Sequence, residues 1–447
     1  MDNFKKTLSE IRRYPSAILG LVIVALLIVL AVYAVIKIPY SQAIYLWRGG
    51  EQVWYKNPKN VPPNWVNWFS KEKLPRSFAV TVGEDGITKE VIQVDKEISK
   101  INFSYAFDFN YDAPPQEMFL YLSADYLQKQ PFVSIRMVTP EGHEIRISDF
   151  GVSHKQTFRF TQEKKLVRRL GGLDPMVGIF SVEGSDPPVP LKGTYQIFID
   201  GLAYEKDADL DVEFVLHGKT YGIAGTDHQR RDLSVALLWG APIAIAFGLL
   251  AAIGTSILSM IFAAISAWYG GWIDGTIQRV TQVNMVLPFL AILIMVGTFY
   301  SRSIWIILGV TVALSIFTGA ILTDRAIFLQ VKESPYIEAA KAYGASNSRI
   351  IFRYMIPRII PLLIPALVSA IPSYVFLEAS LAVLGLGDPV LPTWGKVIND
   401  AFSNGALYKG YYYWILQPAV LLMITGLGFA MLGFALDRIF NPRLRGM

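Results

Sequence analysis

The chain has no cysteine and only four histidines among its 447 residues. The first absence excludes a disulfide framework, thiol nucleophiles and cysteine-bound metal centres, and leaves the compartment open. The histidines are scattered, with no HExxH-like pair, and no G-x-x-x-x-G-K-[ST] phosphate loop occurs anywhere. No catalytic constellation, no Cys- or His-based metal site and no ATP hydrolysis are therefore expected of the chain itself. Charge is sparse as well: 17% of residues are Asp, Glu, Lys or Arg, with an excess of +5. No nucleic-acid partner is expected.

Apolar residues take up what the charges leave. They make up 53% of the chain, and six runs approach the roughly 20 helical residues that cross a bilayer. They lie near 17–37, 238–267, 280–300, 303–323, 359–382 and 413–436. The first follows Lys5, Lys6, Arg12 and Arg13. It is longer than a signal-peptide core and lacks a small-x-small cleavage site, so it reads as a retained anchor. Arg279, Arg325, Lys332, Lys341, Arg349, Arg353, Arg358, Arg438, Arg443 and Arg445 fall on the same side as the first four. Only Arg302, Lys396 and Lys409 mark the short connections opposite. That asymmetry predicts a multi-pass protein of the cell membrane with both termini cytoplasmic and residues 38–237 outside.

Between the first two runs the pattern changes period. Ile101–Phe109, Met118–Leu122, Phe132–Val138, Thr157–Phe160, Tyr195–Ile199 and Leu210–Leu216 alternate apolar and polar residues, with turn signals at Thr139–Gly142 and Gly171-Gly172. This predicts an extracytoplasmic all-β, sandwich-like domain over 38–225. The Trp-, Tyr- and Pro-rich stretch Tyr45–Trp68 reads as an interfacial collar, with a ligand surface as the alternative. Acidic runs at Asp108–Asp112 and Glu205–Asp211 lack the glycine and closing glutamate of a calcium loop. Asn102-Phe-Ser104 matches a glycosylation sequon inside a predicted strand.

The most specific segment is Ser334–Pro357. Ser334 and Pro335 make a helix start, a hydroxyl cap followed by a residue with no N–H to satisfy. Glu338 and Lys341 fall on a different face from Tyr336, Ala339, Ala340 and Tyr343. Gly344 permits a turn, a second helix can begin near Ser346, and Pro357 predicts an end or kink. Glu338-Ala339-Ala340, Gly344 and Ile356-Pro357 keep the spacing of the "EAA" loop and resemble that loop of ABC importer permeases. Four further segments resemble the dipeptide/oligopeptide/nickel type: Gly225–Asp232, Trp268–Asp274, Glu378–Gly387 with Pro392–Gly395, and Asn441–Arg445. Departures from that pattern are Arg230 in place of a glycine, Gln282 in place of an aspartate, Tyr354 and Arg358 around Met355–Pro357, and the large outer domain.

The resemblance implies a type I ABC importer permease fold: residues 1–37 as terminus and first helix, then the β insertion, then a five-helix core over 226–447 with a coupling loop at 324–358. It implies a C-type subunit that forms the pathway with a B-type permease, two ATPase subunits holding ATP and magnesium, an extracytoplasmic substrate-binding protein and membrane lipid. Peptides are the substrate implied, with oligosaccharides or nickel as alternatives; a membrane sensor is the remote alternative. Glu338, Ala339, Ala340, Gly344, Ile356 and Pro357 would couple to the ATPase. Glu378, about one span beyond Pro357, reads as either a structural pair or a gate of the outer mouth. Asp227, Arg231 and Asp232 read as helix-capping residues beside that mouth or as an ordinary charged helix start.

Overall fold

The computed structural model describes residues 15–83 and 86–440. Lys5, Lys6, Arg12, Arg13, Arg443, Arg445 and the Asn441–Arg445 motif lie outside the described residues. The chain divides into two compact units, Gly49–Ser234 and Met1–Arg48 with Val235–Met447.

Among the described residues the unit Gly49–Ser234 has nine strands: β1 Phe78–Thr81, β2 Thr88–Gln93, β3 Ser99–Phe109, β4 Glu117–Asp125, β5 Phe132–Val138, β6 Glu144–Gly151, β7 Lys155–Arg159, β8 Gly193–Ala203 and β9 Asp209–His217. They form two antiparallel sheets in the orders β1-β9-β4-β7 and β2-β3-β8-β5-β6. The period-two pattern explains the pairing. Ile101, Phe103, Phe107 and Phe109 of β3 are buried, as are Leu120 and Leu122 of β4 and Val212 and Phe214 of β9, and one core joins both sheets. Aromatic rings fill its centre: Phe107 lies 5.6 Å from Phe214 and 5.8 Å from Tyr195, and Phe109 lies 4.5 Å from Phe180. Asn102 sits mid-strand in β3, opposite Glu90 and Asp200.

The acidic runs are used inside this unit. Asp108 accepts from Thr194, and Asp112 pairs with Lys192. Glu205 accepts the amides of Leu127, Gln128 and Lys129 at 2.6, 2.7 and 2.7 Å, while Asp209 and Asp211 share Lys89. Among the described residues no group of three or more His, Asp or Glu side chains is arranged to hold an ion.

The other unit is helical: α1 Pro15–Lys37, α2 Leu233–Tyr269, α3 Gly271–Val286, α4 Phe289–Phe299, α5 Ile304–Ile316, α6 Gly319–Lys332, α7 Pro335–Ala342, α8 Ile356–Leu381, α9 Trp394–Ser403 and α10 Tyr412–Phe440. A further helix, Tyr40–Arg48, follows α1. Among the described residues four helical runs are long and apolar enough to cross a membrane: Pro15–Lys37, Leu233–Tyr269, Asn347–Leu386 and Tyr412–Ile439. The runs expected near 280–300 and 303–323 are each broken instead. The pair α3 and α4 bends by 77°, and the pair α5 and α6 by 50°. Pro288 accounts for the first break, because it drives Leu287 to an extended ψ of 135°. At the second, Phe317 and Thr318 leave helical dihedrals, and the Asn284 amide donates to the carbonyls of Leu314 and Phe317 at 2.7 and 2.8 Å. Carbonyls released from a helix inside lipid need such partners.

Small residues make the closest helix contacts. A Cβ on Gly20 of α1 would stand 2.8 Å from the Leu432 amide nitrogen in α10, and one on Gly428 would meet Ile23 at 2.5 Å. Where lipid surrounds helices there is no hydrophobic gain in burying one against another, so backbone approach and dispersion hold them together.

Candidate functional site

The Ser334–Pro357 segment folds as a packed hairpin. Pro335 occupies the first position of α7. Ser334 stands at the cap position, but its hydroxyl makes no capping bond, contrary to expectation; it turns back toward the Gln330 carbonyl at 3.5 Å. The helix stops at a Schellman turn: the Ala345 amide donates to Ala340 O at 3.0 Å and the Gly344 amide to Lys341 O at 2.9 Å. Gly344 has φ of +75°, and a Cβ there would touch nothing within 4 Å. Its role is therefore purely one of backbone conformation.

Beyond Gly344, Ser346 precedes the short helix Asn347–Arg349, as expected. Of the end or kink expected at Pro357, the helix end is absent. The run Asn347–Leu386 continues through it, widening to a π turn at Ile350–Met355. Such a turn absorbs an insertion without ending the helix, and Pro357 sits at the start of the regular α segment that follows.

Ile337 and Ala340 are the buried positions of α7. With Ile350, Ile351, Met355 and Ile356 they share a core with Ala263, Ala264 and Trp268 of α2 and with Ile321 and Phe328 of α6. Glu338, Ala339 and Tyr343 point outward, Tyr343 being 92% exposed. The hairpin thus presents one acidic and aromatic face while its other face is rooted in two long helices.

Two polar anchors at that root were not foreseen. The Arg325 guanidinium donates to both oxygens of Asp274 at 2.6 and 2.5 Å, tying α6 to α3, and Gln278 adds a bond at 2.9 Å. Lys332 Nζ donates to the carbonyls of Ala267 and Trp268 at 3.0 and 2.9 Å, at the end of α2. Lys341 lies over the Trp268 ring at 4.8 Å. Asp274 carries a motif signal and Lys341 lies on the polar face of α7, whereas Arg325 and Lys332 read from sequence only as orientation charges. Their partners lie 51 or more residues away in sequence, beyond any local pattern.

Glu378 of α8 is 6% exposed and has the Thr393 hydroxyl as its side-chain partner. Thr393 also caps α9, accepting the Lys396 amide at 3.2 Å. The rest of the Pro392–Gly395 motif is explained by packing. The Trp394 indole donates to Leu237 O at 2.9 Å and lies so close to Gly240 that a Cβ there would come within 2.1 Å of the ring. A Cβ on Gly395 would fall 2.7 Å from Ala379. Gly385, at φ of 85°, turns the chain out of the helix, and Asp388 accepts the Ile304 amide at 3.0 Å. Glu378 is thus held inside a joint between α2, α8 and α9.

Asp227, Arg231 and Asp232 belong to the β unit. Asp227 is fully buried and accepts the amides of Gln229 and Arg231 at 2.8 and 2.9 Å and the Arg231 Nε at 2.5 Å. Asp232 stands apart from this pair and accepts the Ser234 amide at 2.8 Å; burial raises its pKa. Arg230, where the resembled pattern has glycine, has φ of 64°. Its guanidinium donates to Asn57 O at 2.8 Å and meets His217 Nδ1 at 3.2 Å. Burial and that guanidinium depress the His217 pKa to about 3.

A model of the family described as binding-protein-dependent transport system inner membrane component matches residues 255–446. The oligopeptide transport system permease protein OppC of Bacillus subtilis (strain 168) is 31% identical over 226 residues, which is 49% of this chain and 72% of that one. The dipeptide permease DppC of the same organism is 28% identical over 222 residues, covering 49% and 68%. The glutathione permease GsiD of Pectobacterium atrosepticum is 27% identical over 224 residues, covering 49% and 72%. Among solved structures, TmCBM61 in complex with β-1,4-galactotriose aligns with 35% of this chain and 92% of its own at 8% identity and a TM-score of 0.15, too low to carry an argument. On the motifs, the rooted hairpin and these matches, the chain belongs to the binding-protein-dependent transport system inner membrane component family and is an ABC transporter permease, not an enzyme.

Proposed function

We propose that this chain is the C-type permease subunit of an ATP-driven peptide importer and that the Ser334–Pro357 hairpin receives the ATPase stroke. The observation that carries this is the hairpin's two-sidedness. Ile337 and Ala340 sit in a core with α2 and α6, while Glu338, Ala339 and Tyr343 face out. A lever must be stiff, and the Schellman turn at Gly344 and the continuous run from Asn347 into α8 supply stiffness at both ends. Glu338 would meet a basic groove on one of two ATPase subunits, which carry ATP and magnesium. A B-type permease would complete the pathway, and an extracytoplasmic binding protein would deliver the cargo.

The four long helices and two bent pairs make six spans in this reading, with both termini inside and residues 38–237 outside, an arrangement that the basic residues beside the spans support. Peptide is favoured as cargo because relatives covered over about two thirds of their length or more carry peptide names. Glu378 is assigned a pairing role at the α8–α9 joint, on its burial and its Thr393 partner. The test is Glu338→Lys in the assembled transporter. Receptor-stimulated ATP hydrolysis and uptake should fall at least about tenfold, the equivalent of 1.4 kcal/mol of docking energy. Wild-type rates in that variant would sink the assignment.

A further inference from the structure

One exposed feature of the β unit has no role in that scheme. The segment Asn64–Trp68 forms a 3-10 turn, and the following loop is closed by a reciprocal pair: Asn67 Nδ2 donates to Leu74 O and the Leu74 amide to Asn67 Oδ1, both at 2.9 Å. At the tip of this closed loop Trp68 is 78% exposed and Phe69 81% exposed. Trp65 packs edge-on against Phe69 at 6.3 Å, and its indole donates to Ile223 O at 2.9 Å. Ile223 is itself 81% exposed. Three basic residues, Lys71, Lys73 and Arg76, and one acidic residue, Glu72, fringe the loop, all exposed.

We propose that Trp65, Trp68, Phe69 and Ile223 form a foot of the β unit that rests in the headgroup region of a lipid bilayer. Large aromatics held outward by a rigid loop are unfavourable in water, so their presence marks a surface with an apolar partner. Indoles favour the membrane–water boundary, and a net-basic fringe suits lipid phosphates. Lipid is the partner because of where the foot is tethered. The Asn64 amide donates to Gly222 O at 2.9 Å, and Gly225 O accepts the amide of Leu233, the first residue of α2, at 3.1 Å. The foot is therefore tethered within about ten residues of the chain's entry into an apolar helix, which favours the bilayer surface as its partner.

This rests on the reading that α2 spans the membrane, and the cysteine-free sequence allows the two claims to be tested separately. Nitroxides are attached singly at Phe69→Cys and Ile223→Cys in the full chain in phosphatidylethanolamine/phosphatidylglycerol vesicles. Leu127→Cys, at a position 93% exposed in the β unit, serves as the aqueous reference, and Leu250→Cys, on α2, as the lipid reference. Relaxation by oxygen relative to a water-soluble nickel chelate should be several-fold higher at 69 and 223 than at 127, approaching 250. Values at 69 and 223 equal to 127 would overturn the foot while leaving the span intact. Shielding from both reagents would overturn it in favour of a protein partner. An aqueous value at 250 would overturn the spanning assignment and the foot with it.

Discussion

The two units differ in the residues that make their characteristic contacts. In the β unit the centre of the core is a set of interlocking rings, Phe107, Phe109, Phe180, Tyr195 and Phe214. In the helical unit close contacts are made at Gly20, Gly240, Gly395 and Gly428, where a Cβ would collide with its neighbour. Water drives large apolar groups together, so a domain folded in water gains by burying its largest residues. Helices in lipid gain nothing from that exchange and come together by contact alone, which favours residues that allow backbones near.

Opposite substitutions should therefore damage the two units. Phe214→Ala removes a ring that is 1% exposed and should destabilise the β unit by about 3–5 kcal/mol, seen as faster amide exchange along β9 in the full-length protein. Gly240→Ala adds a single carbon 2.1 Å from the Trp394 ring. It should cost about 1–3 kcal/mol, displacing Trp394 from Leu237 O and loosening α9. Faster exchange confined to α9, with β9 unchanged, would sharpen the comparison; an unaffected α9 would break it.

The comparison extends to legibility. Period-two alternation placed β3, β4, β5, β7, β8 and β9, where one face of the strand meets water and the other the core, but not β1, β2 or β6. It did not reveal which strands share a sheet: β1 pairs with β9 and β3 with β8 across more than a hundred and about ninety residues respectively. Hydropathy located the helical runs but not the bends at Pro288 and Phe317-Thr318, the second of which has its free carbonyls satisfied by the distant Asn284 amide. The turn at Gly344 was legible because turn chemistry is local. Arg325 and Lys332 were not, because an ion pair with Asp274 or a bond to the Trp268 carbonyl leaves no periodic trace.

Acid should separate the units next. His217 is 1% exposed and its pKa is depressed from 6.5 to about 3 by burial and by Arg230. Below pH 6.5 the unfolded chain takes up a proton that the folded one refuses, so this group contributes stability fully above 6.5 and loses it as pH falls toward 3. The slope approaches about 1.4 kcal/mol per pH unit. His217→Gln should flatten the pH dependence of β9 exchange between pH 6 and 4. An unchanged slope would assign the acid sensitivity to other groups.

The smallest expected effect concerns Arg230, the one position of the Gly225–Asp232 motif that departs from the resembled pattern. The backbone at φ of 64° explains why a glycine suits that place: a side chain in the left-handed region costs about 1–2 kcal/mol. Arg230 offsets this by donating to Asn57 O at 2.8 Å and meeting His217, bonds of a charged donor that are worth about 1.5–3 kcal/mol. Arg230→Gly gives up both the strain and the bonds and should change stability by less than about 2 kcal/mol. Arg230→Ala keeps the strain, loses the bonds and should be the worse variant by about 1 kcal/mol. Both should raise the His217 pKa, since the guanidinium that helps to depress it is gone. Equal stability of the two variants would mean that the left-handed backbone carries no strain here, and that the departure from glycine needs no compensation.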